Sequence, residues 1–286
     1  MKTAIRIYII CLALVAFATI TYGAIGDEHL VMGNPSNATA NPQNMNNYLM
    51  RKTEYVLSYN KSTACPNWVS WHLNMSWIGT ADRENDFRPD ESLPNGWSRV
   101  NPTDYNNAGF DRGHMCNSKD RTKDATSNSH TFYMSNMVPQ SPANNEVTWK
   151  ALEDYCRVLA TNHEVYIVCG PHGKGGEGYL KKQKKIVNRT QLEADRSDGT
   201  AGTINVPAET WKVIIALPPG KTSPHNVTTS TTTIAVIMPN NQSLSSNWKQ
   251  YITSVDDVEH LTGYHFFTAV EPHTAAEIKA RRFQPQ

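Results

Sequence analysis

The chain has 286 residues, 39% hydrophobic and 19% charged, with 27 Lys and Arg against 26 Asp and Glu. That composition is globular, and the length suffices for one large packed domain or two small ones. It excludes a disordered chain and an overall basic field, so any attraction to a polyanion must come from a local cluster of Arg and Lys.

At the N-terminus, Lys2 and Arg6 lead into an uncharged, mostly apolar run over 7–20. Its length suits the core of a signal peptide and is short for a bilayer span. The expectation is a signal over 1–23, cleaved after Gly23, with Ala18 as the alternative cleavage site and an uncleaved anchor as the other option. The product, 24–286, would be secreted or periplasmic with no stable membrane association. Without Lys2 and Arg6, the 27 basic residues fall to 25 against 26 acidic ones, so the mature chain is near neutral. Cys11 leaves with the signal, and Cys65, Cys116, Cys156 and Cys169 remain. Four cysteines in an exported chain predict disulfides, with buried free thiols as the alternative and no means of choosing a pairing. Six Asn-X-Ser/Thr sequons, at Asn37, Asn60, Asn74, Asn188, Asn226 and Asn241, are glycan acceptors only in a eukaryotic secretory pathway.

Residues 24–50 are polar and rich in Asn, Pro and Met, and read as an extended arm. Weak alternation predicts a strand over 55–59. An aromatic strand follows over 68–77, with Trp68, Ser70 and His72 on one face and Trp71, Leu73 and Met75 on the other. Repeated Pro, Gly, Asp and Asn make 79–110 a long loop, a setting in which function is common. A buried strand is predicted over 131–135, ended by Pro139 and Pro142. Helical spacing of Trp149, Leu152, Cys156 and Leu159 predicts a helix from Asn144 to about Ala160. Further strands are predicted over 164–170, 211–217 and 233–238. A Gly-rich loop spans 170–178, followed by a solvated basic run of Lys181, Lys182, Lys184 and Lys185. A short helix over 255–261 turns Val258 and Leu261 inward. The mixture reads as an α+β single domain around a largely antiparallel sheet, with a core over about 50–270 and no repeat or linker.

A lone His is more often structural than catalytic, and on residue chemistry alone His114 is only suggestive. Its setting is Asp111-Arg112-Gly113-His114-Met115. This segment resembles the signature of the DNA/RNA non-specific endonucleases, the family of Serratia-type and endonuclease G-like nucleases. The resemblance continues upstream in Arg83, Phe87 and Asp90, and downstream in Thr131-Phe132-Tyr133-Met134-Ser135-Asn136-Met137-Val138-Pro139-Gln140. Asn145, Trp149, Leu152, Glu153 and Arg157 follow at the family's spacing, then a strand over 165–171. Together these cover roughly 68–268.

The resemblance implies a ββα-metal motif and hydrolysis of DNA and RNA with little regard to sequence. It implies His114 as general base, a role suited to a neutral imidazole. Asn145 is implied as the direct protein ligand of Mg²⁺, with Mn²⁺ as a substitute; Mg²⁺ keeps several waters, so one protein oxygen suffices. Glu153 is implied to orient metal-bound waters, and Arg83, Arg112 and Arg157 to contact phosphate, which a guanidinium fork fits bidentately. Arg88 competes with Arg83 because it lies in the same loop. Asn136 and Asp111 are implied as supporting residues.

Ideal helical geometry would place Asn145, Trp149 and Glu153 on one stripe; the bland alternative is an amphipathic helix with a surface Glu153–Arg157 pair. Cys116 departs from the small residue many relatives carry. A zinc site drawn from His114, Cys116, Cys156, Cys169 or His172 matches no compact zinc spacing. No base-reading motif is present, so substrates would be held mainly through phosphates. Competing readings are a catalytically altered relative acting in nucleic-acid binding or adhesion, and a small-nucleotide phosphodiesterase with a closed pocket. A homodimer is left open.

Overall fold

The computed structural model describes residues 24–195 and 201–285. The expected signal over 1–23 lies outside the described residues. In chain order the strands are β1 (Tyr48–Arg51), β2 (Val56–Asn60), β3 (Cys65–Leu73), β4 (Asp111–His114), β5 (Met137–Gln140), β6 (Glu164–His172), β7 (Gly176–Leu180), β8 (Lys185–Arg189), β9 (Gln191–Asp195), β10 (Ala201–Asn205), β11 (Glu209–Leu217), β12 (Thr232–Pro239) and β13 (Ile252–Thr253). The helices are α1 (Ala125–His130), α2 (Lys150–Leu159), α3 (Val255–Thr262) and α4 (Pro272–Ala280).

Seven strands form one sheet in the order β1-β2-β3-β6-β11-β12-β13, with every pair antiparallel. The expected α+β architecture around an antiparallel sheet is therefore present. The alternation read in β3 holds: Trp68 enters one apolar cluster, and Val69, Trp71 and Leu73 enter the other. On β11, Trp211, Val213, Ile215 and Leu217 face one way, and Ile214 and Ala216 the other. A sheet with two apolar faces must be covered on both sides. One side is covered by α2 and the turn leading into it (Trp149, Leu152, Cys156) and by β5 (Met137, Val138). The other is covered by α3, α4 and the 24–40 arm through Val258, Ile278 and Met32. Among the described residues no helix is long and apolar enough to cross a membrane.

Three expectations need correction. First, 131–135 is not a strand. Thr131 and Phe132 are turn residues, followed by a 3-10 turn over Met134–Asn136, with one isolated bridge between Tyr133 and Arg88. Burial made the run look strand-like, but Asn136 Nδ2 donates to Thr131 O at 2.9 Å and locks a turn. The second strand of the motif is β5, Met137–Gln140, which includes Pro139. Proline is tolerated there because β4–β5 is a two-stranded ribbon with no third partner. Second, β3 ends at Leu73, where Asn74 caps the 3-10 turn Met75–Trp77 by accepting from Ser76 N. Third, the four described cysteines are free and buried. Burial pushes the thiols of Cys65, Cys156 and Cys169 up to about 12 and that of Cys116 higher still, which suppresses the thiolate that disulfide exchange requires.

Sequence reading also missed elements. Within the expected Gly-rich loop the chain remains in β6 to His172 and re-enters a strand at Gly176, and the lysine run is the turn of the β7–β8 hairpin. Neither α1 nor α4 carries a strong apolar period, so packing rather than pattern makes them helices.

Candidate active site

β4 and β5 pair antiparallel, setting His114 opposite Met137 and Gly113 opposite Val138. Position 113 admits only glycine: a Cβ there would lie 2.2 Å from Gln140 Oε1 and 2.6 Å from Gln140 Cβ. The space goes to Gln140, fully buried, whose Nε2 donates to Asn144 Oδ1 at 3.2 Å. Beyond β4 the chain is held by Asn136. Its Oδ1 accepts from Cys116 N at 2.9 Å, its Nδ2 donates to Cys116 O at 2.9 Å, and its backbone O accepts from Met115 N. Asn136 thus fixes the segment after His114.

His114 is 7% exposed and its ring packs edge-on to Phe87 and Phe132, with centroids 5.5 and 4.9 Å away. Its buried Nε2 has no hydrogen-bond partner among the described residues. Burial first, then the charges of Arg83 and Arg112, lower its pKa to about 3, so the imidazole is neutral at neutral pH. Arg112 lies over the Phe87 ring at 4.2 Å, and Arg83 over the Phe132 ring at 4.8 Å. Arg83 is also held by Ser118 Oγ at 2.6 Å and Asn85 Oδ1 at 2.8 Å. Arg88 instead stacks on Tyr133 at 4.1 Å and pairs with Asp86. Of Arg83 and Arg88, Arg83 is the one beside His114.

The helix over 144–159 begins with a π-helical turn, Asn144–Trp149, before α2. Such widened turns recur at functional sites, and this one breaks the simple stripe expected for Asn145, Trp149 and Glu153. Asn144 turns inward, bonded to Gln140, Thr210 Oγ1 and Pro239 O. Asn145 is half-buried and donates Nδ2–H to Asp111 Oδ2 at 2.9 Å. Burial raises the Asp111 carboxyl above its usual range, against the Asn145 hydrogen bond.

Glu153 is 4% exposed and accepts a short hydrogen bond from Asn117 Nδ2. Burial, opposed by Lys212 and Arg157 and reinforced by Asp120, pushes its carboxyl up to about 7. Arg157 is committed elsewhere: it pairs with Asp120 Oδ1 at 2.8 Å and with Asp154. The alternative of a surface Glu153–Arg157 pair does not form, and Arg157, expected as a phosphate contact, is engaged with Asp120 and Asp154.

The family model described as DNA/RNA non-specific endonuclease matches residues 32–273. The chain belongs to the DNA/RNA non-specific endonuclease family. A protein named nuclease from Nostoc sp. (strain PCC 7120) is 44% identical over 254 residues, covering 88% of this chain and 85% of that one. The human mitochondrial nuclease EXOG is 32% identical over 223 residues, 75% of this chain but 55% of that protein, so the chain spans just over half its length. A solved EndoG chain, from the EndoG/EndoGI complex, superposes with a TM-score of 0.66 at 26% identity, covering 88% of this chain and 95% of that one. Endonucleases of this family are hydrolases of nucleic-acid phosphodiester bonds.

Nucleases of this family are metal-dependent. Among the described residues no group of three or more His, Cys, Asp and Glu could hold a metal ion. A hydrated divalent cation needs few protein oxygens. Asn145, with Nδ2 committed to Asp111, offers Oδ1, a hard neutral oxygen, beside the Asp111 carboxyl. This donor set fits a hydrated divalent cation.

Sequence reasoning overlooked Asn117, Ser118, Asp120 and Lys212. Lys212 had a visible signal, a cation in the middle of an otherwise apolar strand. The other three sit in an irregular turn with no periodicity to expose them.

Proposed function

We propose that the chain is an exported, divalent-metal-dependent endonuclease that hydrolyses DNA and RNA without reading bases. The observation that carries this reading is His114, a neutral imidazole with no hydrogen-bond partner among the described residues, set between two aromatic rings and beside two guanidinium groups. An unprotonated, uncommitted imidazole can take a proton from water as its oxygen attacks phosphorus. Arg112 and Arg83 remain charged and offer forks to the phosphate oxygens, where negative charge grows in the transition state. The phosphorus–oxygen bond on the far side breaks, and the departing oxygen takes a proton from solvent.

Asn145, backed by Asp111, would hold the metal, and Glu153, held by Asn117, would orient the waters around it. When bound, Mg²⁺ supplies charge neutralisation at the phosphate and acidifies coordinated water. The absence of a groove-reading motif supports contact through phosphates, which carry no sequence information. Export is supported by the basic start and apolar 7–20 run; N-terminal sequencing of protein recovered from the medium or periplasm tests it.

The deciding assay digests paired plasmid, single-stranded DNA and RNA with Mg²⁺ or Mn²⁺, with EDTA as control. The expectation is degradation of all three, abolished by EDTA, and a loss of roughly 10²–10⁴-fold for His114→Ala with the fold intact. Wild-type rates in that variant would remove His114 from the mechanism.

A further inference from the structure

Lys212 is fully buried in the middle of β11, and its Nζ has no hydrogen-bond partner among the described residues. A buried cation is costly unless something compensates it. Its strand neighbours Trp211 and Val213 enter the cluster on the opposite face, so alternation turns Lys212 toward the α2 side. There its Nζ lies 4.1 Å from the Trp149 ring centroid and 5.6 Å from that of Trp71. Each indole leads to a buried carboxylate. Trp149 precedes Glu153 by four residues on the same helix. Trp71 donates Nε1–H to Asp120 Oδ2 at 3.1 Å.

The two carboxylates differ in how they are served. Asp120, 1% exposed, has Trp71 and the Arg157 guanidinium. Glu153 has the Asn117 amide as its hydrogen-bond donor. Arg157, on its own helix, is already committed to Asp120 and Asp154. Arg83 faces Glu153 from the 79–110 loop but is held by Ser118 and Asn85. Asp120 faces it as a like charge, and Cys156 and Cys169 stand near it as neutral thiols. From the sheet, the cation that acts on Glu153 is Lys212, without direct ion pairing, seated on the Trp149 indole four residues before it.

We propose that Lys212 is a positioning residue for the reaction: its buried ammonium, seated on Trp149, compensates Glu153 from beneath and holds it as an oriented carboxylate. Its role in turnover rests on the nuclease reading above. The pairing does not, so the two can fail separately.

The test uses the full chain in EDTA, with Lys212→Met, Lys212→Arg and the double variant Lys212→Met/Glu153→Gln, unfolded thermally at about pH 5.5 and about pH 8.5. At the higher pH Glu153 must ionise without its partner. Lys212→Met is therefore expected to lose roughly 5 °C or more in Tm at about pH 8.5 and to recover most of it at about pH 5.5, where Glu153 carries a proton. The double variant is expected to show no such pH-dependent loss. In turnover, Lys212→Met should lose at least about tenfold in kcat with KM little changed, and Lys212→Arg should restore part of it. A Tm deficit equal at both pH values, with Glu153→Gln merely adding to it, overturns the proposal. If Lys212→Met does not fold, the double variant decides: recovered folding supports the pairing, and continued failure to fold overturns it.

Discussion

The side-chain amide of Asn145 donates its Nδ2–H to Asp111 Oδ2 at 2.9 Å, tying the π turn at the start of the helix to the first residue of β4. That bond fixes which face of the amide is left for a cation. A partner that orients a ligand typically affects metal affinity ten- to a hundredfold. Asp111→Ala should therefore raise the Mg²⁺ concentration for half-maximal activity by roughly 10–100-fold, with Tm nearly unchanged. Metal titration of activity, paired with calorimetry, measures it; an unmoved half-saturation point removes Asp111 from the metal's support.

The burial of His114 has a pH consequence whose sign is fixed. Its folded pKa is lowered to about 3 from 6.5, so the unfolded chain takes up a proton that the folded chain refuses. Stability from this group is complete above pH 6.5 and is lost as pH falls toward 3. His29 is shifted the same way, to about 3, and Glu153, raised to about 7, opposes both, so the comparison must be made between variants. Between pH 7.5 and 5, His114→Asn should lose about 2 kcal/mol less unfolding free energy than wild type. Denaturant melts at the two pH values measure this, and NMR of the metal-free protein should show no His114 titration above pH 5. A midpoint near 6.5 would refute the neutral, desolvated imidazole.

Arg83 and Arg88 make a matched pair in one loop. Arg83 stands over Phe132 beside His114, whereas Arg88 stacks on Tyr133 and pairs with Asp86. Arg83→Ala should lower kcat/KM at least tenfold, and Arg88→Ala should cost mainly stability, about 1 kcal/mol or less, because its ion pair is partly exposed. Equal kinetic losses in the two variants would contradict the assignment.

Gly113→Ala inserts a methyl where Gln140 already sits. Overpacking of this kind costs about 1–3 kcal/mol, and relief requires moving β4 or Gln140. Because the next residue is His114, the expected result is a larger fall in kcat than in stability. Gln140→Ala should restore part of the activity in the double variant; failure of that rescue, with Gly113→Ala itself fully active, would show that the contact does not set the base.

Much of the frame was legible in the chain alone. Period-two alternation located β3, buried apolar runs located β11 and β12, helical spacing located α2, and the run from Asp111 to Met115 pointed to the family when read with Asn145 and Glu153 downstream. These features are local, set by which residues recur at which spacing. Local pattern misassigned 131–135, because an apolar run is buried equally well as a turn and Asn136 decides which. It also pointed to disulfides where the fold buries four separate thiols.

Three features depended on the tertiary structure. Arg83 rather than Arg88 is chosen by which aromatic ring each guanidinium reaches. The neutrality of His114 comes from burial and from two arginines, one of them distant in sequence. The charge beneath Glu153 comes from Lys212 on β11, 59 positions later in the chain. Desolvation and Coulomb interactions depend on distance in space, and no spacing along the sequence encodes that distance.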